Sequence, residues 1–264
     1  MRKNTKSQPL KVLMLGAECS PFVKVGGLAD VMGSLPKAVK KEKIDVRLIV
    51  PLYGSINRRK FKLKKIVSDL EVPSGGKFIK INIWQSKLPD SQVKVYFIEN
   101  KKYFGSKEVY AGKNEERFLF FSLASLYILP AIKFNPDVIH CHDSHTALVP
   151  DLIKAKSLEG LKDFKTLYTI HNFRYQGKTR EEVLSTGNLN KNSLKSLTVD
   201  LADGDINFTV QGILNANIIN TVSKKYAKEM LTKEYGEGLE KIIRKRKKDE
   251  QKQSNFASYP KTPV

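Results

Sequence analysis

Apolar residues along the chain come in short β-branched and aromatic runs, and between several of these runs the apolar spacing shifts toward the helical period. The runs predict strands at Lys11 to Gly16, Asp45 to Val50, Phe78 to Trp84, Lys94 to Ile98, Asp137 to Cys141, Thr166 to Ile170 and Ile218 to Val222. Glu115 to Ile132 repeats apolar residues at helical spacing, Thr146 to Lys156 follows the strand ending at Cys141, and Lys224 to Lys233 closes the regular part. A strand can return parallel to its predecessor only through a crossover, so alternating strands and helices predict an α/β fold with a doubly wound, mostly parallel sheet. Phe61 to Ile98 carries strands in succession without a helix, which predicts an antiparallel excursion at one edge. Pro36 sits inside the first helical stretch, where its missing N–H either kinks the helix or restarts it with Ser34 as the cap.

The length of 264 residues, 41% of them hydrophobic, supports one large domain or two small ones with a sizeable core. No internal repeat is visible. Lys and Arg number 47 against 27 Asp and Glu, a formal charge of +20, which brings nucleic acid, an anionic membrane or a phosphorylated substrate into view. The lysines are spread along the chain without a basic-aromatic signature, and this favours a solvated lysine-rich surface and no nucleic-acid partner. After Gly238 the composition changes to a basic cluster, then polar residues and two prolines, with no apolar period that could be buried. Residues 241–264 therefore read as a disordered tail, or at most a frayed helix.

Cys19 and Cys141 lie in apolar, strand-like segments far apart in sequence, so no disulfide framework is indicated and a reducing compartment fits. Arg2, Lys3 and Lys6 ahead of Leu10 to Ala17 imitate a signal or lipoprotein leader, but Lys11 interrupts the apolar stretch and Glu18 stands directly before the cysteine, where a small residue is expected. The stretch is read as a first strand behind a flexible N-terminus, residues 1–9. No run approaches the roughly 18 apolar residues of a membrane span, which points to a cytoplasmic protein without a membrane partner.

Three loops concentrate the polar chemistry. "FVKVGGLADVMGSLPKAV", residues 22–39, puts Lys24, Gly26 and Gly27 where a strand hands over to a helix. Glycines let a phosphate approach the main chain at a helix N-terminus and a lysine adds a point charge, although a Gly-Gly pair is also an ordinary turn. "DVIHCHDSHTALVP", residues 137–150, holds three of the four histidines, with Asp143 among them. Strand alternation puts His140 and His142 on one face and Cys141 on the other, with His145 past the strand end, so the set does not converge as a tetrahedral metal site would. Buried structural histidines are the competing reading for His140 and His142. "TLYTIHNFRYQG", residues 166–177, ends a strand in His171, Asn172, Tyr175 and Gln176. Amides and aromatic rings suit a neutral, hydroxyl-rich ligand such as a sugar, and equally an ordinary polar loop.

Together these segments resemble the bacterial glycogen synthase and plant starch synthase family. "ECSPFVKVGGLADVMGSLPKAV" is similar to its lysine-x-Gly-Gly-Leu-Ala-Asp-Val signature, and four further segments follow in the family's order: "DVRLIVPLYG", "DVIHCHDSHTALVP", "TIHNFRYQG", and "INFTVQGILNANIINTVSKKYAKEM" with "EYGEGL". The resemblance covers most of residues 10–240 and implies the Rossmann-like N-terminal half of a GT-B glycosyltransferase, a starch synthase catalytic domain. It implies transfer of glucose from ADP-glucose to the non-reducing end of an α-1,4-glucan with retention of configuration, without metal or other cofactor.

Carried over position by position, the resemblance assigns Lys24 to the donor phosphate, with Gly26 and Gly27 lining it. Asp30 and His145 join Lys24 as catalytic candidates, while Glu18, Asn172, Tyr175 and Gln176 fall on the acceptor side. Ser144 stands where the family often has tryptophan, which predicts looser packing beside His145. Family members continue past "EYGEGL" into a donor-binding domain, and such a domain needs on the order of 150 residues. The expectation is that this chain lacks it and is either completed by a separate C-terminal donor-domain chain or is an inactive fragment or glucan-binding module.

Overall fold

The computed structural model describes residues 8–254. From its N-terminal end the chain forms β1 (Lys11–Leu15), α1 (Gly27–Lys41), β2 (Asp45–Pro51), β3 (Lys64–Ser74), β4 (Lys77–Lys87), β5 (Lys94–Glu99), α2 (Lys101–Phe104), α3 (Asn114–Tyr127) and β6 (Val138–His142). It continues through α4 (Val149–Lys154), β7 (Lys165–Ile170), β8 (Lys178–Thr179), α5 (Lys195–Asp200), β9 (Ile206–Asn207), α6 (Phe208–Asn215), β10 (Ile218–Thr221), α7 (Tyr226–Glu229) and α8 (Glu240–Ser254).

Eight strands share one sheet in the order β10-β7-β6-β1-β2-β5-β4-β3. The six from β10 to β5 are parallel, and β4 and β3 add antiparallel pairs at one edge. The doubly wound reading and the edge excursion are both present. β1 runs from Lys11 with Val12 to Leu15 buried, as a strand covered on both faces must be, whereas β3 at the edge is mostly exposed. The chain winds outward from β1 to β2, then returns to place β6 on the other side of β1. That reversal leaves a crevice beyond the carboxyl ends of β1 and β6, where open α/β sheets bind ligands.

Several helices differ from the sequence reading. α1 runs unbroken through Pro36, with neither a restart nor Ser34 as cap; Ser34 Oγ donates instead to Asp30 O at 2.7 Å. The carbonyl that Pro36 leaves without a donor, Met32 O, receives the Cys19 thiol at 3.4 Å, and Cys19 lies in the loop after β1 rather than in a strand. α1 also rides close over that loop, since a Cβ at Gly33 would stand 2.5 Å from Ser20 O. The expected helix to Ile132 stops at Tyr127 in turns around Pro130. The expected helix from Thr146 begins as a tight 3-10 turn, Ser144–Thr146, before α4, and α7 covers only part of Lys224 to Lys233.

From 241, where a disordered tail or at most a frayed helix was expected, the chain is in α8, and Ile243 is buried at the start of that helix. Residues 255–264, like residues 1–7 of the expected flexible N-terminus, lie outside the described residues. Among the described residues no helix is long and apolar enough to cross a membrane. Both cysteines are buried and free.

Candidate functional site

The loops at the carboxyl end of the sheet surround a cleft of about 810 Å³. One wall is the turn between β1 and α1. The Glu18 carboxylate is buried there and accepts the backbone N–H groups of Val25 at 2.5 Å and Gly26 at 2.9 Å, while the Tyr110 hydroxyl donates to its other oxygen at 2.9 Å. Three donors on one ionisable acceptor fold the turn back on itself and set Gly26 as the N-cap of α1. No side chain caps this end, and the first N–H groups of a helix have no intrahelical acceptor.

Nothing inside the protein demands glycine here. The Gly26 backbone is extended, with φ −136° and ψ −166°; a Cβ on it would meet only Glu18 Oε1 at 3.7 Å, and a Cβ on Gly27 would meet nothing within 4 Å. The room such atoms would take is room in the cleft. Lys24 stands beside this turn and pairs with Asp30, its Nζ 2.7 Å and 2.8 Å from the two carboxylate oxygens, both side chains exposed.

The floor comes from β6 and β7. Asp143 leaves β6 with a left-handed φ of 57°, and Thr146 locks the turn that follows, its hydroxyl accepting from His142 N at 2.6 Å and donating to His142 O at 3.0 Å. This turn swings the His145 ring into an aromatic stack, with ring centroids 5.1 Å from Tyr110 and 6.0 Å from Tyr175, and edge-on to Phe118 at 4.6 Å. Burial, aided by the neighbouring His171, lowers the His145 pKa to about 3, so its ring is neutral; its Nδ1 is sealed without a partner. Its carbonyl accepts from Ser122 Oγ at 3.4 Å.

His171, at the end of β7, is half-buried, and its Nε2 meets His142 Nδ1 at 3.0 Å. Burial lowers its pKa, against the raising influence of the Glu18 carboxylate. The His171 N–H donates to Asp143 Oδ1 at 2.8 Å. Burial nevertheless pushes Asp143 up to about 7, overcoming the backbone donors of His171 and Asn172, with Glu18 adding to the rise.

His140 is buried and bonds Thr169 Oγ1 at 2.6 Å, its ring 4.1 Å from that of His142. Among the described residues no group of three or more His, Cys, Asp or Glu is arranged to hold a metal ion. Ser144 is buried beside His145, on which three aromatic rings pack. The crevice next to it is too narrow to hold a water molecule.

Of the residues singled out in the sequence, Glu18, Gly26, Gly27, His145, Asn172 and Tyr175 line one cleft, while Lys24, Asp30 and Gln176 do not. Gln176 is spent on structure. Its Oε1 accepts from Asn207 at 2.6 Å, and its amide donates to Glu237 O at 3.0 Å and Phe173 O at 3.3 Å. The Tyr175 hydroxyl donates to Glu115. Asp143 and His171, named in their motifs without an assigned role, and Arg174 and Tyr110, which nothing in the sequence marked, also line the cleft. The first two stand at or just past strand ends inside motifs already singled out, so position alone pointed to them. Tyr110 carried no such signal: its loop is held from below by buried Arg117, which donates to the carbonyls of Tyr103, Val109 and Ala111 at 2.6 to 3.1 Å.

The profile of the starch synthase catalytic domain family matches residues 11–245. The chain is 39% identical over 247 residues to a glycogen synthase of Moorella thermoacetica, covering 92% of this chain and 50% of that protein. It is also 39% identical over 249 residues to a glycogen synthase of Thermotoga maritima, covering 91% and 51%. Its fold matches the catalytic domain of starch synthase IV from Arabidopsis thaliana, solved with ADP and acarbose, at a TM-score of 0.82 and 32% identity over 91% of this chain and 50% of that one. The chain thus spans about half the length of the relatives it matches.

Proposed function

The chain belongs to the starch synthase catalytic domain family, and from that premise we propose that it forms the glucan-facing half of a cleft that transfers glucose from ADP-glucose to the non-reducing end of an α-1,4-glucan with retention of configuration. The observation that carries the proposal is the pair Gly26 and Gly27, whose missing side chains serve no packing need of the protein and leave backbone open to the cleft. A diphosphate approaching there meets the N-terminus of α1, a 15-residue helix whose dipole favours negative charge. That stabilises the departing ADP as the bond from the anomeric carbon to the diphosphate oxygen breaks and an acceptor hydroxyl bonds that carbon in its place. Lys24 adds a cation when it turns from Asp30 toward the cleft.

Bond breaking also builds positive charge at the anomeric carbon. Two neutral imidazoles, His145 and His171, border the cleft; they can hold sugar hydroxyls without adding a cation beside that carbon. Tyr175 and Asn172 supply a ring face and an amide for the acceptor glucan, which suits hydroxyl-rich sugars. The half of each relative that lies outside the match completes the donor side in this reading, whether carried by the same polypeptide or by another.

The test is incorporation of glucose from labelled ADP-glucose into glycogen by the purified chain, alone and mixed with the donor half of a related synthase. Incorporation in the mixture, abolished by Lys24→Ala, is the expected result. Silence in both, with no affinity for ADP-glucose or maltooligosaccharides, overturns the proposal. Maltooligosaccharide affinity without incorporation replaces the enzyme with a glucan-binding module.

A further inference from the structure

Behind the cleft, the imidazoles of His140, His142 and His171 form a chain whose protons can be assigned one by one. Thr169 Oγ1 donates to Asn220 Oδ1 at 2.5 Å. A hydroxyl has one hydrogen, so the 2.6 Å contact with His140 Nε2 makes that nitrogen the donor.

The next link is the 3.0 Å contact between His142 Nδ1 and His171 Nε2, across which one nitrogen must donate and the other accept. His142 is fully buried and its Nε2 has no partner. A proton on Nε2 would leave an N–H sealed away from any acceptor, the costlier kind of orphan in a folded interior. The proton therefore sits on His142 Nδ1 and is donated to His171 Nε2. His171 must then carry its own proton on Nδ1. That atom bonds nothing within the described residues and, unlike the orphaned ring nitrogens of His142 and His145, is not sealed from solvent. The ring lines the cleft.

We propose that His142 is a positioning residue that fixes the tautomer of His171, so that His171 offers Nδ1–H to the cleft as a donor to an oxygen of the bound sugar or its phosphate. Burial lowers the pKa of all three histidines and keeps each ring to a single proton, which the assignment requires. The His171 Nδ1–H tautomer is the one a free neutral imidazole favours less, so the protein must impose it. His145 follows the same logic from the other side: with Nδ1 buried and unpartnered, its proton belongs on Nε2. The role of this donor in binding rests on the functional reading above; the tautomer itself does not.

Long-range ¹H–¹⁵N correlation spectra of the uniformly labelled chain near neutral pH distinguish the tautomers directly. The expected spectrum shows His171 protonated at Nδ1 and His142 at Nδ1. His142→Leu should move the His171 proton to Nε2, whereas His142→Asn, whose amide nitrogen stands near the place of Nδ1, should keep it on Nδ1. His171 found protonated at Nε2 in the unaltered protein overturns the proposal, and so does an unchanged tautomer in folded His142→Leu. If His142→Leu does not fold, the spectrum of the unaltered protein decides alone. Titration with maltotetraose and with ADP-glucose is then read at the same signals. Silence there, with the tautomer as assigned, counts against the functional reading and against His171 as a cleft donor, while leaving the His142–His171 proton assignment in force.

Discussion

The carboxylate of Glu18 holds the backbone N–H of Gly26 at 2.9 Å, so an acidic side chain, rather than a basic one, shapes the glycine turn. The same oxygen takes Val25 N–H, and its partner oxygen takes the Tyr110 hydroxyl. Glu18→Ala strips three donors of one acceptor and is expected to cost about 3 kcal/mol of stability, given the worth of hydrogen bonds to a charged group. Urea unfolding measures it; a loss below about 0.5 kcal/mol would mean that the turn holds its shape without Glu18.

Gly27→Ala separates the needs of the fold from those of the ligand. The added methyl meets nothing within 4 Å and lies in the first turn of α1, so stability is expected to hold or rise by about 0.5 kcal/mol. If the proposed function holds, affinity for ADP-glucose or ADP, measured by calorimetry on the chain mixed with the donor half of a related synthase, is expected to fall roughly tenfold, about 1.4 kcal/mol. Unchanged affinity would mean that the ligand does not need a bare backbone at this position.

His145→Phe keeps the aromatic stack among Tyr110, Phe118 and Tyr175 and removes an unpartnered buried nitrogen. Its stability is expected to stay within about 1.5 kcal/mol of the parent, whereas His145→Ala empties the stack and is expected to lose about 3 kcal/mol. If the proposed function holds, glucose incorporation in the mixture with a donor half should fall in both, because both lose the imidazole that lines the cleft. A fully active His145→Phe would reduce His145 to packing.

Asp143 links stability to pH. Its carboxyl ionises near 3.8 when free and near 7 in the fold, so between those values the folded chain holds a proton that the unfolded chain gives up. The stability this group contributes is complete below about pH 3.8 and is lost as pH rises through about 7, at up to about 1.4 kcal/mol per pH unit. Asp143→Asn cannot ionise and can still accept from His171 N–H. Denaturation curves across this range are expected to show the parent losing ground to Asp143→Asn up to about pH 7 and tracking it above. A gap of the opposite slope would show that Asp143 is held as the anion.

Much of the fold was legible because parallel strands buried on both faces must be continuously apolar, and runs such as Lys11 to Leu15 announce themselves. Helix limits were less legible. Pro36 should break α1 by local rules, and only the thiol of Cys19, folded back from the preceding loop, gives the stranded Met32 carbonyl a donor. α8 likewise reads as an unburied polar run, yet Ile243 finds a buried place.

The sequence by itself determined the family, the parallel sheet and the three loops that meet at its carboxyl end, because these depend on local patterns of apolar residues, glycines and strand-end polar groups. Only the tertiary structure decided which of those polar groups face one another. Gln176 is turned away to bond Asn207 and Glu237, and Lys24 is paired with Asp30. Tyr110, from a loop with no signature, closes over Glu18 and His145. Such choices depend on which donor meets which acceptor across segments distant in the chain, and that is settled by packing.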